Sequence, residues 1–109
     1  MAETDPGLDD AMAALWARAR PRVDARIDGI ESAAAALAAG TLGDEERDAA
    51  RTQAHQLAGL LGTLGLPDAS PVARRLEHLL AGGPSAADAE TLVAGAAELR
   101  RAAAAGPTG

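Results

Sequence analysis

Residues 54–65 read AHQLAGLLGTLG, a histidine followed by glycines at 59, 62 and 65 inside a leucine-rich run. The chemistry available to such a segment is that of His55. With a reference pKa of about 6.5, a solvated imidazole is substantially neutral and nucleophilic at cellular pH. Other chemistries are poorly supplied. The chain has two histidines and no cysteine, which excludes a thiolate nucleophile, a disulfide framework and a cysteine-based zinc site. No metal-ligand partner falls on the face of His55, and no Gly-rich nucleotide loop is present. His78, between Glu77 and Leu79 near the end of a helical segment, reads as a solvated side chain, mildly favoured there when protonated.

Each interior glycine costs a helix roughly 1 kcal/mol relative to alanine, so these glycines call for a return. On a wheel of about 100° per residue with His55 at zero, Leu57, Leu60, Leu61, Leu64 and Ala50 fall between about 140° and 240°. The core face is expected opposite the histidine. Flanking zero are Asp48, Arg51, Thr52, Gly59 and Gly62. At Gly59 and Gly62 no side chain rises from the helix, so another protein's surface can come down close to the imidazole. Arg51, Thr52, Gln56, Ala58, Gly59 and Gly62 are therefore the candidate docking residues around His55. Gly65 lies off this stripe and reads as a C-terminal cap. Two glycines three apart also suit close packing of a helix within the same bundle, a reading weakened by their place opposite the leucines.

Four helical segments must position these residues. In the first, Leu8, Met12, Leu15, Trp16, Ala19, Val23, Ile27, Ile30, Ala34 and Leu37 trace one helical face. Pro21 falls inside it and removes a backbone donor, predicting a kinked helix or two short helices stacked end to end, with the unbroken phase favouring the kink. Gly40 and Gly43 are expected to close it. The second begins near TLGDEER, its acidic residues suited to a helix N-terminus, and runs to Gly65. The third extends from LPDASP to Leu80, with Pro67 or Pro71 in its first turn, burying Ala69, Val72, Ala73, Leu76, Leu79 and Leu80. The fourth begins at Ser85 with Asp88 as a capping-box-like pair and buries Ala89, Leu92, Val93, Ala96, Leu99 and Ala103.

Short connections between four amphipathic helices predict an all-α, antiparallel up-and-down four-helix bundle, its first helix kinked near Pro21. Residues 1–7 are expected to form a flexible N-terminus, 8–105 a single bundle and 106–109 a flexible tail. A chain of 109 residues with one aromatic, Trp16, builds one core from Leu, Val, Ile and Ala, a mixture favouring helices. Its formal charge of -6, with every basic residue an Arg, makes nucleic acid an unsuitable partner. The Ala-rich runs are broken by charges, and none reaches the roughly 18 apolar residues of a membrane span. The start, MAETDPGLDD, lacks the regions of a signal peptide, and a cytoplasmic location is expected.

The run His55, Leu57, Gly59, Gly65, followed by Leu76–Glu77, resembles the histidine-containing phosphotransfer (HPt) domain of multistep two-component signalling. The motif spans about residues 48 to 80, and the four-helix organisation extends the resemblance to most of the chain. It implies a bacterial phosphocarrier without autokinase activity. His55 would accept a phosphoryl group on Nε2 from a receiver-domain aspartate and pass it to another receiver. Partners would be response-regulator receiver domains, a hybrid sensor kinase, or both. The protein would have no cofactor of its own, Mg²⁺ being supplied by the receiver, and a monomer is expected. One departure stands out. Members of the family often carry Lys three residues after the histidine, where this chain has Ala58; Arg51, one turn earlier, is the nearest cation by wheel position, and Gln56 could add a hydrogen bond.

Two alternatives keep the same fold. A non-catalytic adaptor or sequestering module would bind receivers through this face without using His55, so His55→Ala would leave binding intact. A structural bundle would use the glycines for internal packing, and Gly59→Arg would then destabilise it by overpacking.

Overall fold

Alanine, leucine and arginine are good helix formers, and glycines between the runs supply the backbone conformations that end a helix. The structure, a computed structural model, describes residues 6–107 apart from the side chains of Pro6 and Leu8. Four helices make it up: α1, Pro6–Ala38; α2, Asp44–Thr63; α3, Ser70–Ala81; and α4, Ala89–Ala105, entered through a 3₁₀ turn at Ala86–Asp88.

The helix ends follow local chemistry. After α1, Gly40 adopts φ +73°, letting the Thr41 N–H donate to the Ala36 carbonyl at 2.8 Å and the Gly40 N–H to that of Leu37 at 3.1 Å. Gly65, with φ +89°, does the same for α2, where the Leu66 N–H donates to the Leu61 carbonyl at 2.9 Å. Both satisfy carbonyls that a helix otherwise leaves without partners. Gly43 belongs to the next helix, as the N-cap of α2, rather than closing α1. Asp44, Glu45 and Glu46 occupy the first turn of α2, where the backbone dipole favours them. Pro71, not Pro67, sits in the first turn of α3. The Ser85–Asp88 capping box forms, with the Ser85 N–H donating to Asp88 Oδ2 at 2.8 Å, but it caps the 3₁₀ turn rather than α4 directly.

The chain passes Pro21 as one continuous helix, so the alternative of two stacked helices is not realised, and a kink at Pro21 is not shown. Sequential helices pack side by side, α1 on α2, α2 on α3 and α3 on α4, and α4 returns to α1. Connections this short make neighbours antiparallel. One core runs through the bundle, with Val23, Ile27, Ile30, Leu57, Leu61, Leu80, Leu92 and Leu99 fully buried.

Several side chains depart from the expected pattern. Val93 is 57% exposed and Leu15 46% exposed, while Trp16, Leu60 and Leu79 are half-buried against the core. In place of Val93, Gly95 is buried in α4. A Cβ there would come within 2.6 Å of Leu76 Cδ2, so Leu76 of α3 occupies the space a side chain would need. The expectation of flexible ends falls, for residues 1–5, 108 and 109, outside the described residues.

Candidate functional site

The buried residues of α2 are Ala50, Ala54, Leu57, Ala58 and Leu61. Alanines at 50, 54 and 58 repeat every fourth residue, and their small side chains let neighbouring helices approach closely. The buried arc of α2 is therefore wider on one side than its leucines suggest, and it borders His55. The imidazole stands at the rim of the seam between α2 and α3, not diametrically opposite the core. It is still open to solvent, with 69% of its side chain exposed.

From across that seam Glu77 of α3 reaches the ring, its Oε2 lying 2.9 Å from His55 Nδ1. Only 19% of the Glu77 side chain is exposed, so most of it is sheltered from solvent. A carboxylate can only accept, so in the neutral imidazole the proton resides on Nδ1 and donates to Glu77. Nε2 is then left with its lone pair free, on a ring that is mostly exposed. The seam is also pinned on the other side of His55, where the Ser70 hydroxyl donates to the Ala58 carbonyl at 2.8 Å in a buried hydrogen bond. That bond fixes the start of α3 against α2 and with it the register that brings Glu77, about two turns on, to the histidine.

The expected docking residues divide. Thr52, Gln56, Gly59 and Gly62 are exposed, and Arg51 is half-buried, 3.9 Å from Asp48. At Gly59 nothing lies within 4 Å of where a Cβ would stand, whereas at Gly62 a Cβ would make ordinary contact with the Ser70 hydroxyl oxygen at 3.7 Å. Ala58 departs from the expectation. It is 4% exposed, a floor residue of the α2–α3 seam and not part of the open face, because α3 covers the side of α2 that a lone helical wheel leaves empty.

His55 and Gly59, with Ala58 at the base, line one side of a groove whose other side is Arg74, Glu77 and His78 of α3. The contact of Glu77 and the proximity of Arg74 and His78 escape a helix-by-helix reading. The signal for them is present but indirect. Arg74, Glu77 and His78 flank the buried line Val72, Ala73, Leu76 and Leu80 of α3, and α2 and α3 must lie antiparallel across a short turn. Among the described residues no group of three or more His, Asp or Glu side chains is gathered to hold a metal ion. Nor is any described helix long and apolar enough to cross a membrane.

Comparison with known families matches residues 10–105 to the Hpt domain. Comparisons with curated proteins and with solved structures gave no match.

Proposed function

Because the chain belongs to the Hpt domain family, whose match spans nearly the whole bundle and implies histidine phosphotransfer in a phosphorelay, we propose that His55 is the phosphoacceptor. It takes the phosphoryl group from the aspartyl phosphate of one receiver domain and yields it to the aspartate of another. The observation that carries this reading is the divided imidazole: Nδ1 engaged by Glu77 at 2.9 Å on a ring that is 69% exposed and shares a groove with Gly59, where no side chain rises.

The step follows from that geometry. The Nε2 lone pair attacks phosphorus as the bond from phosphorus to the aspartyl oxygen breaks, and the carboxylate leaves with the electron pair. No proton need move, because the ring proton is already on Nδ1. The positive charge the ring acquires is offset by the Glu77 carboxylate that accepts that proton's hydrogen bond. Transfer to a second receiver is the same displacement in reverse. Phosphoryl transfer depends mainly on in-line positioning and on neutralising charge, so this chain need present only an oriented nucleophile on a firm support. Mg²⁺, carried by the receiver, would shield the phosphoryl oxygens from the incoming lone pair. The exposed Thr52, Gln56, Gly59 and Gly62 provide the surface on which a receiver would sit.

The test is incubation with radiolabelled phosphorylated receivers and Mg²⁺. Label is expected on this protein as an acid-labile, alkali-stable adduct, absent from His55→Ala, and transferable to a second, unlabelled receiver. Label that persists in His55→Ala, or failure to exchange with every receiver of the source organism, overturns the assignment.

A further inference from the structure

We infer that the Arg74 guanidinium is the charge partner of the phosphoryl group carried by His55. The inference rests on His55 being the acceptor, and it concerns how this chain holds the product. A phosphoryl group on Nε2 brings close to two negative charges at neutral pH. The nearest fixed charge is of the same sign, since Glu77 Oε2 lies 2.9 Å from the other nitrogen of the same ring. Glu77 already takes up the positive charge of the phosphorylated ring, so the phosphoryl oxygens on the open side gain from a cation of their own.

On α2 the position one turn after His55 is Gly59, and the buried Ala58 beside it carries no charge. Arg51, one turn before, lies 3.9 Å from Asp48. Across the groove, Arg74 shares the walls around His55 with Glu77 and His78. Arg74 is exposed and makes no hydrogen bond or ion pair among the described residues. Most other arginines are engaged: Arg20, Arg47, Arg51, Arg75 and Arg100 with carboxylates and Arg26 with Gln53. Arg18, Arg22 and Arg101 are unengaged as well, but none of them lines the groove of His55. The empty space above Gly59 leaves room for the guanidinium to swing from α3 over the α2 backbone. A planar guanidinium also matches two phosphoryl oxygens at once, which an imidazole such as His78 does not. Arg75, the next residue, faces α4, where it lies 3.8 Å from Glu98, and so supplies a control of equal charge on another face.

The experiment loads the full chain with phosphoramidate, a small phosphodonor that needs no receiver, and follows the phosphohistidine ³¹P resonance through a pH titration. A neighbouring cation favours the dianion, so Arg74→Gln is expected to raise the second ionisation of the phosphoryl group by about half a unit or more. Arg74→Lys should restore most of the wild-type value, and Arg75→Gln should leave it unchanged. The inference is overturned if Arg74→Gln titrates with the wild type, or if Arg75→Gln or His78→Gln moves the resonance as far. If the wild type takes no phosphoryl group, or His55→Gln takes one equally, the acceptor assignment fails and this inference with it. Loading on His55 with no response to Arg74 removes this inference alone.

Discussion

At the scale of single residues, the imidazole of His55 gains its selectivity from a partner on another helix. Glu77 holds the proton on Nδ1 through a 2.9 Å contact and so leaves free the Nε2 lone pair that the proposed transfer would use. A hydrogen bond of this kind on an exposed ring is worth about 1 kcal/mol, and losing it also frees the ring to rotate. Glu77→Ala is therefore expected to slow phosphoryl transfer about five- to tenfold while receiver affinity stays within about twofold, as read by rapid-quench transfer and by calorimetry. Equal losses in rate and affinity would make Glu77 part of the docking surface instead. Gly59 gives a second residue-scale contrast. Its Cβ position is open, so Gly59→Ala should stabilise the protein by up to about 1 kcal/mol in urea unfolding through helix propensity alone. Gly59→Arg should leave the fold intact and abolish receiver binding in the same assays. The open position was legible from the wheel, because it depends on the periodicity of α2 alone. Glu77 was legible only as half of a motif, since its contact crosses between helices.

At the scale of elements, stability lies in the faces that the helices share. Leu57 and Leu61 are fully buried, and truncating either to Ala should cost about 2–5 kcal/mol. Leu60 is only half-buried and should cost less. Gly95 behaves in the opposite way to Gly59. A Cβ there would meet the Leu76 side chain at 2.6 to 3.1 Å, so Gly95→Ala should destabilise the α3–α4 contact by about 1–3 kcal/mol through overpacking. Two glycine-to-alanine changes of opposite sign, measured by urea unfolding, would separate a glycine kept for an open surface from one kept for helix packing. The helix ends at Gly40 and Gly65 could be read from sequence because a cap is a local event. The buried Gly95 and the exposed Val93 could not, because the apolar line of α4 is set by where α1 and α3 press on it. A valine and a glycine two positions apart do not reveal which one faces a neighbour.

For the molecule as a whole, α1 sets the shape. Its 33 residues span about 50 Å at 1.5 Å per residue, which accounts for the longest extent of 56 Å against 21 and 18 Å across. The burial of its apolar line begins at Ala19. The long helix is held to α4 by Arg100, whose Nη2 lies 2.7 Å from Asp28 and 2.6 Å from Glu31, with Nη1 at 3.6 Å from Asp24. The hydrogen bond to Asp28 is the main cause raising the guanidinium pKa above its ordinary value. A raised pKa on a base adds stability that is complete below its unfolded value and lost only as pH climbs past the folded one. The guanidinium itself therefore contributes no change in stability near neutral pH. Because the cluster is solvent-facing, Arg100→Ala should cost about 1 kcal/mol at low ionic strength and progressively less as salt is added. A loss that persists undiminished in high salt would mean that the Arg100 stem, not its charge, holds α1 to α4.

The sequence alone determined the number of helices, the glycine caps at Gly40 and Gly65, the burial of Leu57 and Leu61 in α2 and of Leu64 at its C-cap and the exposure of His55. Each of these follows from the 3.6-residue period and from the backbone demands of a helix end. Only the tertiary structure decided that Ala58 is covered, that Val93 is not, and that Glu77 and Arg74 share a groove with the histidine. A helical period gives each side chain an angle about its own axis. Which neighbour closes the edge of that face, and how nearly it can approach across a row of alanines, depends on helices meeting through contacts between residues far apart in the chain.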